Sequence, residues 1–442
     1  MPPRHTTGAA TGLNWRIAAR FGYIAVIFLA TLTDMKLGPG ATDGIQERLQ
    51  RALMPMLSAR DVIDGLRNLL LFAGWGLVWS LTERTPRFLR SVLLATVTGM
   101  LLSVCVEAAQ LVSPRRQSSI LDVLTNTGGA FLGALAVVLL LRVTIAARSA
   151  RSFVGMPMLV IAVAYCAAAM LEILLPGMRQ DLLPGIRGGP LARFRLALEW
   201  FGWRMPSLST FVLQFILLLP AGWFSVAAMV ERGRSYVNAL LWTTAAGVVL
   251  AMLFEIGRGF TGQPVEFGVF VAHAAGIVCG AWLAWHYLAL LTTRLRGRSR
   301  PLALMGVYAV VLMLWRWRPF RPAFDIEHML GSFSTGHLVP LAALAGRTDL
   351  FSASIVAAGF LLHVPLGALL AVWPLRYRGA LAHVLPGLWF VILIEAGQLF
   401  ITERFFDTTD IVIGTAGVLA GWALMRQAGF RPYGQALPPA GS

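Results

Sequence analysis

Charge is what this sequence has least of. Asp, Glu, Lys and Arg make up 13% of its 442 residues, while 57% are hydrophobic. A soluble domain carries roughly 25% charged residues, so a chain this poor in charge is not built to face water alone. Acid is scarcer still: 21 Asp and Glu stand against 37 Lys and Arg, a net charge of +16. In a soluble protein that balance would point to nucleic acid. Here the basic residues sit in short loops beside apolar runs, where they set topology and meet anionic headgroups. With no zinc-finger or RNP spacing, no nucleic-acid partner is expected. Cysteine is rare as well. Cys105, Cys166 and Cys279 lie inside apolar runs with no CxxC spacing, which excludes a disulfide framework and leaves small packing residues. No GxSxG, HExxH, P-loop, dinucleotide or haem motif occurs, so neither a cofactor nor a metal is expected.

What is present in quantity is lipid-length apolar sequence. A spanning helix needs about 20 mostly apolar residues. Candidate spans fall near 15–32, 62–81, 88–111, 120–142, 156–175, 207–230, 237–256, 266–290, 302–315, 351–373, 380–400 and 409–425. The expectation is an all-α, polytopic bundle of about twelve spans. The polar, basic N-terminus leads into Phe21–Leu32 without a convincing cleavage site, so the first run reads as an anchor. An inside N-terminus places Arg84, Arg87, Arg90, Arg142, Arg148, Arg151, Arg232, Arg234, Arg294, Arg296, Arg298, Arg300, Arg376 and Arg378 on the cytoplasmic side, with only Glu83 and Glu231 among the acids. Both termini are therefore expected inside.

Two stretches share one spacing, E-x2-Q-x5-R-x5-D followed by two glycines. The pairs are Glu107/Glu395, Gln110/Gln398, Arg116/Arg404, Asp122/Asp410, Gly129/Gly417 and Gly133/Gly421, all at one constant interval. Six matches in register are not coincidence. Between them, Glu255 and then His273, Gly276 and Gly280 follow the same order as Asn126, Gly129 and Gly133 after a one-residue deletion. Gly76, Gly222 and Gly367 match upstream, the last two inside Pro220-Ala-Gly and Pro365-Leu-Gly. The chain reads as a triplication of a four-helix unit: 14–150, a diverged 151–298, and 299–428, with a flexible Pro/Gly-rich tail at 429–442.

Glu107 and Gln110 are three apart and share a helix face. Pro114 ends that helix, the loop carries Arg115 and Arg116, and the next helix brings Asp122, Asn126, Gly129 and Gly133 along one stripe. The glycines permit close helix approach. A hairpin of this kind gathers Glu107, Gln110, Arg116, Asp122 and Asn126 at the non-cytoplasmic end; Glu395, Gln398, Arg404 and Asp410 repeat it, with Gly414 in place of the asparagine. The arrangement serves either as a polar lock, with Asp122 capping its helix, or as a ligand site whose arginine suits a phosphate or carboxylate. Glu107 and Asp122 also have the chemistry of an acid/base pair, but no nucleophile accompanies them and the reading leans away from an enzyme. Elsewhere, Glu255 and Arg258 read as a self-neutralising pair and Glu172 as interfacial. His273 and His363 read as packing partners, and Trp315-Arg316-Trp317-Arg318 as an interfacial belt.

The pattern E-x2-Q-x5-R-x5-D-x3-N-x2-G on paired helices resembles the VanZ-like family. Glu107–Gly129 and Glu395–Gly417 look like its signature hairpin, and Asn68-Leu-Leu-Leu-Phe and the Pro365-Leu-Gly stretch resemble its second-helix motif. The middle unit departs, with Arg258 for the glutamine, Pro264 near the arginine position and His273 for the asparagine. The resemblance implies a bacterial inner-membrane protein, and the family's namesake is associated with resistance to the glycopeptide teicoplanin; it implies no reaction. The expected partner is a membrane lipid or lipid-linked envelope precursor. The alternatives are a lipid or small-molecule transporter or scramblase, to which parallel repeats are less suited than inverted ones, and an intramembrane acid/base hydrolase or transferase.

Overall fold

The computed structural model describes residues 15–32, 45–53, 59–83, 88–113, 118–149, 158–174, 195, 205–261, 263–294, 299–318, 320–322, 324, 326–331, 333, 335–340, 350–373 and 380–430. Among these residues the chain is helical, with an isolated antiparallel bridge between Pro322 and Ile401. The longer helices are α1 (Trp15–Leu32), α3 (Ala59–Thr82), α4 (Phe88–Leu111), α5 (Ile120–Ser149), α6 (Met158–Leu174), α7 (Leu208–Glu231), α8 (Tyr236–Phe260), α9 (Phe267–Arg294), α10 (Ser299–Arg316), α13 (Leu350–Val372), α14 (Ala380–Gln398) and α15 (Thr408–Gln427). The short helices α2 (Ile45–Leu53), α11 (Ile326–Gly331) and α12 (Thr335–Leu338) fall where the sequence reads as loop.

Helix is the outcome lipid allows, because each spanning segment must satisfy its own backbone. Eight helices are long and apolar enough to cross a membrane, and Met158–Leu174, Pro301–Arg316 and Ala382–Gln398 are shorter apolar helices. The remaining expected span is α3, whose first turns carry Arg60, Asp61, Asp64 and Arg67. The protein is multi-pass. Leu89, Leu93, Leu241, Trp242 and Trp389 are each more than half exposed, as side chains turned to acyl chains are. Helix ends follow local chemistry: Ser207, Ser235 and Asp407 accept from the N–H of Thr210, Asn238 and Thr409. Past α7 the chain turns at Gly233, φ 82°, with Arg234 N–H donating to Met229 O and Gly233 N–H to Val230 O, a Schellman ending.

The described residues form two compact bodies, one within Met1–Met56 and Leu71–Val138, the other within Leu57–Leu70 and Leu139–Ser442. The first is centred on Ile27, Phe72, Trp75, Val106 and Ala130. In the second, α7 packs on α9, α13 packs on α15, and α6 packs on both α7 and α13.

One contact recurs three times. Tyr23 in α1 donates to Leu71 O (2.7 Å), Tyr165 in α6 to Leu217 O (2.8 Å), and Tyr308 in α10 to Leu362 O (2.6 Å). In each case the residue three positions beyond that carbonyl is Gly74, Pro220 or Pro365. A Cβ on Gly74 would collide with the Tyr23 hydroxyl; Pro220 and Pro365 lie inside their helices and interrupt the hydrogen-bond ladder beside the accepting carbonyl. Two positions beyond each accepting carbonyl the next close approach occurs. A Cβ on Gly133 would collide with Ala73 O, on Gly280 with Leu219 O, and on Gly421 with Val364 O; Gly76, Gly222 and Gly367 meet Ala130, Ile277 and Val418 reciprocally. Gly276 and Gly417 approach Phe215 and Phe360 in the same manner, and Gly129 is buried.

Candidate functional site

The polar stripe begins where α4 and α14 end. Glu107 is buried, and its Oε2 accepts from Ser118 Oγ (2.9 Å) and Ser119 N–H (3.1 Å). The carboxylate thus latches α4 to the start of α5. Ser119 accepts from Leu121 N–H through its own hydroxyl, so it caps α5. Asp122 stands inside the first turn and is not the cap; a carboxylate there still complements the helix N-terminus. Gln110 donates to Thr31 O at 3.2 Å, tying the stripe to the last turn of α1. Asn126, almost fully buried, donates to Ser103 Oγ at 2.8 Å. Arg116 lies outside the described residues.

At the ends of α14 and α10 the same letters are wired differently. Arg316, at the end of α10, turns inward and donates through Nη2 to Glu395 Oε1 at 2.7 Å and to Asp410 Oδ2. Gln398 donates to Glu395 Oε1 at 2.9 Å. Glu395 is 1% exposed, and a charge that deep stands only with a partner. The motif arginine is not that partner. Arg404 donates through Nε to the carbonyl oxygen of Arg318 at 2.7 Å, and among the described residues no carboxylate lies within ion-pair distance of it. Burial, then the like charges of Arg316 and Arg318, lower its pKa from the ordinary guanidinium value, only partly offset by Glu172 and Asp410. Its loop is pinned: Thr402 N–H donates to Arg321 O at 2.8 Å, and Phe320 and Glu403 adopt positive φ, 57° and 67°, a conformation non-glycine residues seldom hold.

The expected belt at Trp315-Arg316-Trp317-Arg318 is therefore corrected. Trp315 is buried edge-on against Tyr165, with ring centroids 5.5 Å apart, and Trp317 donates to Ile394 O at 3.0 Å. Arg318 pairs with Glu172 at 2.9 Å, so Glu172 is an ion-pair partner and not merely interfacial. Aligning Tyr308 with Tyr23 would have found Arg316: eight residues beyond each tyrosine, Arg316 takes the place of Thr31.

Gly414 is explained by His363. A Cβ on Gly414 would lie 2.9 Å from Val391 Cγ1 and 3.2 Å from His363 Nε2, so an imidazole from α13 fills the space that Asn126 fills from α5. In α8, Arg258 holds both oxygens of Glu255 at 3.0 and 3.1 Å, the self-neutralising pair expected. His273 bonds Gln214 at 2.9 Å, with Nδ1 3.4 Å from Glu255. Gln263 donates to Ile173 O at 3.1 Å, the position matching Thr31. The three cysteines are free thiols, and Cys105 is exposed instead of packed.

A family model described as VanZ/LLP1 matches residues 20–142 and 305–429, together more than half of the chain. No curated protein and no solved structure matches. The matched segments carry the two motif hairpins and end before α6 and after α9, leaving the middle helices unmatched. A multi-pass membrane chain with the E-x2-Q-x5-R-x5-D hairpin in both matched segments belongs to the VanZ/LLP1 family and carries two VanZ-like units.

Proposed function

We propose that this protein binds or handles an anionic, lipid-linked envelope component at the outer face of the bacterial inner membrane, without catalysing a reaction. The observation that carries this reading is Arg404. Its guanidinium is half-buried and positively charged, and its one hydrogen bond among the described residues goes to a neutral carbonyl, while the acids of its own motif are held by Arg316. A cation desolvated among like charges gains most from an incoming anion, and a planar guanidinium suits phosphate or carboxylate. Glu395, Gln398 and Asp410 act through Arg316 to fix the helix ends on either side. Arg116 takes the role of Arg404 in unit one on the strength of the shared spacing, with Glu107, Gln110, Asp122 and Asn126 orienting the hairpin.

We read the architecture as three parallel four-helix units, 14–150, 151–298 and 299–428, with both termini cytoplasmic. The recurrence of Tyr23, Tyr165 and Tyr308 and of the three glycine crossings supports the triplication. The middle unit, whose arginine pairs with Glu255, has its cation already spent. A link to glycopeptide resistance would follow from masking or moving the envelope component. The test is retention of a polyprenyl phosphate by purified protein. Wild type is expected to retain it and Arg404→Ala to lose most of it; equal retention by wild type and the double variant Arg116→Ala/Arg404→Ala rules the reading out.

A further inference from the structure

Deeper in unit three lies a second group of polar atoms that the anion contact does not use. His363, in the middle of α13, is 3% exposed. Its Nδ1 is 2.7 Å from Gly359 O. A carbonyl can only accept, so Nδ1 carries the proton and Nε2 presents a lone pair. Among the described residues that Nε2 is buried with no protein partner, and so are Glu395 Oε2 and Arg316 Nε. Three helices thus each contribute one buried polar atom left unbonded. Each such atom costs about 1–3 kcal/mol, and folded proteins rarely leave three together.

The three residues are neighbours. Arg316 and Glu395 already share one hydrogen bond of 2.7 Å. His363 meets Gly414, one turn beyond Asp410 on α15, and that glycine also faces Val391, one turn before Glu395 on α14. The imidazole therefore stands roughly one turn, ~5.4 Å, below the ion pair. The charges of Arg316 and Asp410 both act on it. Glycine at 414 is what keeps Nε2 uncovered, since any Cβ there would lie 3.2 Å away.

We infer that Arg316, His363 and Glu395 form a buried subsite for an O–H group, either water or a hydroxyl of a bound ligand. The group donates to His363 Nε2 and accepts from Arg316 Nε; water, with a second proton, also donates to Glu395 Oε2. Two acceptors and one donor are the complement of a single water molecule. This subsite stands whether or not Arg404 binds an anion.

The test is NMR of the full chain in lipid nanodiscs, labelled with 15N on histidine. The wild-type Nε2 signal of His363 is expected to be that of a hydrogen-bond acceptor, with magnetisation transfer from water protons. If added glycerol takes over that transfer, the subsite accepts ligand hydroxyls as well. Gly414→Ala is expected to abolish the transfer while leaving the Nδ1 signal in place. Should that variant not fold, Glu395→Gln must shift the Nε2 signal, because it changes an atom bonded to the same guest. A wild-type Nε2 signal of unbonded nitrogen, with transfer from neither probe, overturns the inference, as does transfer unchanged in Gly414→Ala or a signal unmoved in Glu395→Gln.

Discussion

The hairpins of units one and three use the same five residue types at the same spacing and yet close in different ways. Glu107 is held by a serine hydroxyl and a backbone N–H of its own loop, whereas Glu395 is held by an arginine from another helix. The first includes a local latch across the turn between α4 and α5. The second is a tertiary lock, in which α10, α14 and α15 meet at one guanidinium. A shared motif thus fixes where the carboxylate stands but not every group that holds it. That difference has a functional side: because Arg316 answers both acids, Arg404 is left available.

The sharpest way to break the comparison is to remove Arg316. Arg316→Met leaves Glu395, 1% exposed, without its cation, and stripping one member from a buried ion pair costs about 3–5 kcal/mol. The expected result is a collapse of thermal stability in detergent, largely restored by Glu395→Gln/Asp410→Asn in the same chain. Thr31→Ala, at the matching place in unit one, should be nearly silent because Gln110 bonds its backbone carbonyl. Comparable losses from both would show that the two hairpins are locked alike.

Next in size are the three glycine crossings, which follow one pattern. Gly133→Ala, Gly280→Ala and Gly421→Ala each place a methyl against a backbone carbonyl of the facing helix, which cannot move as a side chain can. Overpacking of this kind costs about 1–3 kcal/mol, and similar falls in melting temperature are expected for all three. A harmless Gly280→Ala alone would set the middle unit apart from its neighbours.

These crossings were largely legible in the sequence, and the reason is physical. Close helix approach demands the smallest residue, so the constraint leaves its mark at fixed positions. Span positions were legible too, since lipid imposes length and apolarity together; the bounds of α4 agree to the residue. What escaped was partner choice. Arg316 sits in a Trp-Arg-Trp-Arg run that has the composition of an interfacial belt, and nothing in composition says that one arginine of the run turns inward. His363 escaped for a related reason: Gly414 read as a loss from the motif, when the polar group had moved to the facing helix. Arg404 was legible as a candidate, but its lack of an acid partner depended on Arg316.

That exchange between helices offers a narrower test. Gly414→Asn restores in unit three the residue that unit one has at 126, yet its Cβ would crowd His363 and Val391 at 3.2 and 2.9 Å. Alone it should destabilise, and in combination with His363→Ala it should cost less than the two separate changes summed. Residues in contact show couplings of about 0.5–3 kcal/mol, read from the four melting curves of the cycle. Additive effects would mean that His363 does not occupy the space Asn126 fills in unit one.

The smallest expected effect bears on the proposed triplication. Tyr23→Phe, Tyr165→Phe and Tyr308→Phe each delete one hydroxyl and keep the ring. Hydrogen bonds between helices in membranes average about 0.6 kcal/mol, so each variant should lose a small and similar amount. The comparison among the three matters more than the size. Tyr165 and Tyr308 bond carbonyls beside a proline, where the ladder is already open, while Tyr23 bonds a carbonyl beside Gly74. If the tyrosine is there to satisfy a kink, Tyr165→Phe and Tyr308→Phe will lose more than Tyr23→Phe. If it is there to fix the register between the first and second helices of a unit, all three will lose alike, and the middle unit will have kept its frame after losing its motif.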